Sequence, residues 1–225
     1  MYASVTQLVR VPALYAESRR FKSFLVYWGK IRKLVQIQPT LLTEREKMKT
    51  IGDKLGNFAV TGVKPGALTY DESSFEILNQ DSFPGKWKII VFYPKDFTFV
   101  CPTEIVAYDA LVNDFNDRDA VLLTGSVDNE FCKIAWRNAH DDLRKTNSWS
   151  FADTAHQLAG DLGIHHTSGV TFRATFIVDP ENTIQHITVN NLDVGRNADE
   201  ALRVLDALQT GELCACNRPL GGDTL

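Results

Sequence analysis

Apolar and polar positions along this chain fall into two periods. Trp87-Lys88-Ile89-Ile90-Val91-Phe92-Tyr93 is a nearly unbroken apolar run between Gly85-Lys86 and Pro94, the pattern of a strand covered on both faces. Ala120 to Val127 repeats it. Phe172 to Val178 predicts a third such strand, closed by the turn signal Asp179-Pro180, and Thr183 to Val189 alternates as its hairpin partner. Residues 58–63 predict a short leading strand before a turn at Lys64-Pro65-Gly66. Helical spacing enters between these runs. Ile105, Tyr108, Leu111, Val112 and Phe115 share one face, predicting a helix from near Thr98–Cys101 to about Phe115. Asp128 is placed to cap a helix over about 129–142. Asn197 caps another, with Ala201, Leu202, Val204, Leu205 and Leu208 as its apolar stripe and Asp199-Glu200 at its positive end. Strands alternating with helices predict an α/β fold with a mixed central sheet flanked by helices.

The first 47 residues follow a different pattern. Phe21, Phe24, Leu25, Trp28, Ile31 and Val35 sit at helical spacing, with basic residues mostly elsewhere. Residues 1–49 hold ten Lys/Arg against three acids, whereas the remainder holds fourteen against twenty-five. A basic, amphipathic, acid-poor arm has the features of an organellar transit peptide. An upstream start ahead of Met48 and a helix lying on a membrane surface are the other readings. The layout is thus an extension (1–47), a compact domain (48–208) and a carboxy-terminal tail (209–225). No stretch approaches the roughly 18 uncharged apolar residues of a membrane-spanning helix. A net charge of −4 argues against nucleic-acid binding by bulk charge.

Four cysteines, Cys101, Cys132, Cys214 and Cys216, are too few for a disulfide scaffold in 225 residues, and no Cys-x-x-Cys occurs. Cys101 stands where a buried strand passes into a helix. The unpaired N–H groups and partial positive charge there favour a thiolate, the nucleophilic form. Thr98, three residues earlier, can bring a hydroxyl beside the sulfur. A hydroxyl can donate to a thiolate and accept from an incoming O–H. Residue types alone leave open whether Cys101 is this nucleophile or an inert packed residue.

Pro94, Thr98 and Cys101 form Pro-x-x-x-Thr-x-x-Cys, and the run Phe-Tyr-Pro-Lys-Asp-Phe-Thr-Phe-Val-Cys-Pro-Thr-Glu-Ile resembles the AhpC-type, typical two-cysteine branch of the peroxiredoxins. The likeness spans roughly residues 49–217, including Ser126-Val127-Asp128, Trp136-Arg137, Phe176-Ile177-Val178-Asp179-Pro180 and Val194-Gly195-Arg196. The tail Glu212-Leu213-Cys214-Ala215-Cys216-Asn217 is similar to actinobacterial alkyl hydroperoxide reductases.

The resemblance implies a thioredoxin-like fold with peroxiredoxin insertions. It also implies a peroxidase for hydrogen peroxide and alkyl hydroperoxides that needs no metal, haem or flavin of its own. Cys101 takes the peroxidatic position, Pro94 shields it, and Thr98 orients the peroxide. Arg173 meets thiolate and peroxide, and Glu104 holds Arg173. Trp136 and Arg196 match supporting positions. Cys214 takes the resolving position, its disulfide reaching Cys101 of a second subunit. Cys216 is a backup thiol or accepts the disulfide, and Cys132, without a counterpart, is read as inert. Glu104, not a cysteine, stands three residues beyond Cys101. This argues against a thioredoxin-type dithiol.

The implied partners are thioredoxin or an AhpD- or AhpF-like reductant, and further copies of the chain in a homodimer or ring. The implied compartment is the cytoplasm, or an organelle if the arm is a transit peptide. Two departures matter. A Gly-Gly-Leu-Gly loop and a terminal Tyr-Phe helix are missing, which predicts resistance to overoxidation. Arg218 follows Asn217 where the branch usually has tryptophan, which puts docking of the tail in question. An oligomeric holdase chaperone or redox relay is the alternative function. A metal clip at Cys214 and Cys216 is the bland one, and the five histidines read as solvated loop residues. Mass determination of the native protein tests the arm: a mature terminus near Met48 removes it.

Overall fold

The computed structural model describes residues 47–225, so the expectations for the basic arm lie outside the described residues. Seven strands form one mixed sheet in the order β2-β1-β5-β4-β3-β6-β7. They are β1 (Val60–Val63), β2 (Phe75–Leu78), β3 (Trp87–Phe92), β4 (Ala120–Ser126), β5 (Trp149–Ala152), β6 (Arg173–Val178) and β7 (Ile184–Asn190). Strands β3, β4 and β5 run parallel, and the outer pairings are antiparallel. The helices are α1 (Val100–Asp109), α2 (Val112–Asn116), α3 (Glu130–Ala139), α4 (Gln157–Leu162) and α5 (Ala198–Thr210).

The continuous apolar runs are the strands buried on both faces. Ile89 and Val91 of β3 point into a cluster with Tyr108, Phe115, Ala201, Leu202 and Leu205 from α1, α2 and α5. Their neighbours Ile90 and Phe92 point the other way, against Phe151, Leu158 and Leu162. Period-two alternation thus feeds two cores from one strand. The register between β3 and β4 pairs Phe92 with Gly125. A Cβ added at Gly125 would lie 2.4 Å from Phe151 Cδ2, so this glycine makes room for the ring between the strands.

Several expectations change in detail. The predicted helix to Phe115 is two helices broken at Ala110–Leu111. The Leu111 N–H bonds the Tyr108 carbonyl, an i to i−3 tightening, while the Asp109 carboxylate accepts from the Asn147 and Ser148 amides. Asp128 does not cap α3. Asn129 does, accepting from the Cys132 N–H, because the Asp128 carboxylate already accepts from the Asp96 amide and the Ser126 hydroxyl. Strands β2 and β5 and helix α4 carry no pattern long enough to announce themselves. The hairpin between β6 and β7 turns at Asp179–Asn182, with Asn182 at φ 63°, which asparagine tolerates.

Gly125→Val is expected to destabilise the fold by about 1–3 kcal/mol through overpacking against Phe151. Urea unfolding monitored by circular dichroism measures this.

Candidate active site

The site lies at the carboxyl end of β3, where a parallel strand delivers its loop to the amino end of α1. Cys101 is the second residue of α1, in the turn whose N–H groups lack intrahelical acceptors. Its side chain is 1% exposed and packs in an apolar cluster with Tyr93, Ile105, Trp136 and Leu143. On its other side Arg173 Nη1 donates to Sγ at 3.4 Å. Arg173 comes from the first position of β6, beside β3 in the sheet.

Arg173 is one of three charged groups that share an interior. Its Nη1 donates to Glu104 Oε2 at 2.7 Å. Glu104 Oε1 accepts from the Arg196 backbone N–H at 2.9 Å and from Arg196 Nε at 2.8 Å. The three side chains are at most 5% exposed. Arg196 also donates to Thr175 Oγ1 at 3.0 Å and lies over the Tyr108 ring. Burial pulls the Glu104 carboxyl upward, but bonds from Arg196 and then Arg173 hold it below the ordinary range. Burial alone would lower Arg173, yet its contacts with Cys101 and Glu104 raise it above the ordinary guanidinium value. Arg173 Nε also donates to the Leu192 carbonyl at 2.7 Å. Two cations and one anion leave a surplus positive charge, and Arg173 brings it into contact with Cys101 Sγ. The cluster is therefore built to meet negative charge at the sulfur.

The connecting loop is pinned by a second buried pair. Lys133 Nζ donates to both Asp96 carboxylate oxygens, at 3.0 and 3.2 Å, and to Ser126 Oγ at 2.7 Å. Tyr93 donates its hydroxyl to Asp96 at 2.8 Å, and burial followed by the Asp96 charge pushes that phenol well up. Sequence reasoning missed this network. Its one available signal was Lys133 four residues before Arg137 on an otherwise inward-facing stripe of α3. Arg137 is itself buried, donating to the Lys64 and Ser148 carbonyls and to Ser150 Oγ.

Pro94 is buried at the start of the loop. The Thr98 hydroxyl donates to the Lys95 carbonyl at 2.9 Å rather than to sulfur, which leaves its lone pairs for an incoming O–H donor. Phe97, at φ 55°, packs its ring against Trp136 at a 30° tilt, and Trp136 is core.

Cys214 is not in this group. It follows α5, its Sγ donating to the Ala207 carbonyl at 3.7 Å and lying 3.6 Å from Thr210 Oγ1. Cys216 is exposed. Cys132 lies on α3, its thiol pushed up by burial and by Asp96 and Asp128. The expectation of solvated loop histidines needs correction at one place. His186 sits half-buried in β7, bonded to Thr188, because the strand runs through Asn190. His156 and His165 bring ring nitrogens within 3.1 Å. Among the described residues no cluster of three His, Cys, Asp or Glu side chains is arranged to hold a metal, and no helix is long and apolar enough to cross a membrane.

Residues 51–187 match the AhpC/TSA family. The chain is 47% identical over 181 residues to alkyl hydroperoxide reductase C of Mycolicibacterium smegmatis, covering 78% of this chain and 93% of that protein. It is 39% identical over 183 residues to peroxiredoxin tpx1 of Schizosaccharomyces pombe, covering 78% and 92%. The solved structure of Mycobacterium tuberculosis AhpC superposes with a TM-score of 0.70 at 44% identity, over 75% of this chain and 98% of that one.

Ionised Glu104 contributes stability that is fully present above the ordinary carboxyl value of 4.5 and is lost as pH falls through its lowered folded value. Glu104→Gln, which leaves two buried cations without their anion, is expected to cost about 3 kcal/mol at neutral pH. Urea titrations from pH 7 downward should show the gap to wild type closing below that ordinary value.

Proposed function

We propose that Cys101 is the peroxidatic thiol of this chain, which belongs to the AhpC/TSA family, has a thioredoxin-like fold and is a thiol-dependent peroxidase. The observation that carries the assignment is the contact of Arg173 Nη1 with Cys101 Sγ inside the Glu104–Arg196 cluster. Hydrogen peroxide and organic hydroperoxides are the substrates; the name of the Mycolicibacterium relative, alkyl hydroperoxide reductase C, gives the second class for that protein. The Cys101 thiolate attacks one peroxide oxygen. A sulfur–oxygen bond forms, the oxygen–oxygen bond breaks, and the leaving oxygen takes a proton to depart as water or alcohol. Sulfur is oxidised by two electrons to the sulfenic acid. Arg173 stabilises the charge that shifts from sulfur to the leaving oxygen, Thr98 accepts the peroxide O–H, and Pro94 walls the pocket.

Cys214 resolves the sulfenic acid, and it does so from a second copy of the chain. The course of α5 supports this. Gly195 lies against Val100 and Glu104, so α5 starts beside Cys101. Cys214 touches Ala207, nine residues further along the helix, on the order of 15 Å away at 1.5 Å per residue. The resulting disulfide would be reduced by thioredoxin or an AhpD- or AhpF-like protein, with Cys216, exposed two residues on, positioned to accept it. Such a cycle requires a reducing compartment, which favours the cytoplasm.

Cys101→Ser is expected to abolish peroxide turnover. Cys214→Ser should permit one stoichiometric oxidation and remove the disulfide-linked dimer on a non-reducing gel. A monomeric intrachain disulfide in oxidised wild type would overturn the two-copy arrangement.

A further inference from the structure

The tail beyond α5 is folded back and held at one place. Arg218, its side chain 4% exposed, donates from Nη1 to Asp206 Oδ2 at 2.8 Å. Asp206, on α5, also accepts from the Gly221 amide at 3.0 Å and from Arg118 at 3.3 Å. The Arg218 carbonyl accepts from Arg203 Nη1 at 3.1 Å. The chain end closes on the same loop: the Leu225 N–H donates to the Leu213 carbonyl at 2.9 Å, and the Thr224 hydroxyl donates to the Glu212 carboxylate. Cys214 lies inside this loop, and its thiol donates to the Ala207 carbonyl near the carboxyl end of the helix. The cysteine must give up that bond, and the loop must leave the helix, before its sulfur can reach a second molecule.

We propose that Arg218 is a latch: its ion pair with Asp206 holds the tail on α5 and sets the rate at which Cys214 becomes available to oxidised Cys101. Arg218 is a positioning residue and takes part in no bond change. In the step it controls, Cys214 sulfur attacks Cys101 sulfur. The sulfur–sulfur bond forms, the sulfur–oxygen bond breaks, and the departing oxygen leaves as water with the thiol proton. The latch is suited to opening. Arg218 Nε is buried without a partner, so docking carries an unrepaid desolvation cost. The Glu200 side of the same helix contributes no competing anion, because Arg203 already occupies it at 2.6 Å. The inference rests on the assignment of Cys214 as the resolving thiol.

The test separates the two steps in the full-length protein by stopped flow with hydrogen peroxide. In Arg218→Ala, oxidation of Cys101 is expected to keep its wild-type rate. Disulfide formation is expected to accelerate about tenfold, the factor for loss of one charged hydrogen bond. Alkylation of Cys214 by iodoacetamide, read by peptide mass, should accelerate while that of Cys101 does not, and Arg218→Lys should return both towards wild type. Asp206→Asn carries the same expectation from the other side should the alanine variant not fold. Unchanged or slower disulfide formation overturns the latch, as does equal acceleration of alkylation at both cysteines. A disulfide that forms as fast in Cys214→Ser overturns the assignment of Cys214 itself, and the latch with it.

Discussion

Two guanidinium groups sharing one carboxylate beneath the amino end of α1 form the interaction on which the proposed chemistry depends. Buried charges persist only when paired and hydrogen-bonded. Glu104 pairs with both arginines, and the one positive charge left over is directed by Arg173 at a single sulfur. The arrangement needs three separate parts of the fold to agree. Helix α1 supplies Glu104 and Cys101, strand β6 supplies Arg173, and the turn before α5 supplies Arg196. Pairing of β3 with β6 and packing of α1 and α5 on one face of the sheet bring them together.

The loop between β3 and α1 is held from the other side by Lys133 and Asp96, both 2% exposed. A buried lysine whose donors reach two carboxylate oxygens and a hydroxyl meets the condition under which a buried ion pair is tolerated. Its effect is geometric. It ties α3 and the end of β4 to the loop that carries Pro94 and Thr98, so the segment entering the site has few alternative conformations. Phe97 packed against Trp136 adds an apolar anchor to the same segment. Reactive sulfur, cation and loop are thus set by packed elements, and preorganisation of this kind lets fixed charges act without rearranging as the reaction proceeds.

The second thiol has the opposite environment. Cys214 rests on the far part of α5, in a tail held by a few polar contacts centred on Asp206. One cysteine is locked in the core, and the other sits on a segment with little apolar burial, where local opening costs least. That division suits a cycle whose first step needs exact placement and whose second needs reach.

The strands and helices around the centre were legible in the sequence because buried parallel strands and amphipathic helices impose long, regular patterns. The runs at Trp87–Phe92, Ala120–Ser126 and Arg173–Val178 and the stripe of α5 follow from burial alone. The placing of Cys101, Thr98 and Pro94 together at a strand end and helix start was legible because they are neighbours in one segment; the roles proposed for them came from the resemblance. The contact of Arg173 with Glu104 was implied only by resemblance, since the two lie 69 positions apart. The Arg218–Asp206 pair had no local signal, and the Lys133–Asp96 pair had only the place of Lys133 on the inward-facing stripe of α3. A buried salt bridge joins residues far apart in sequence, and spacing on one element does not mark which charged partner from another element will meet it. Sequence determined the central strands and amphipathic helices and where Cys101 stands among them. Tertiary structure decided which charges surround it, because electrostatic partners are chosen by proximity in space, and folding alone sets that.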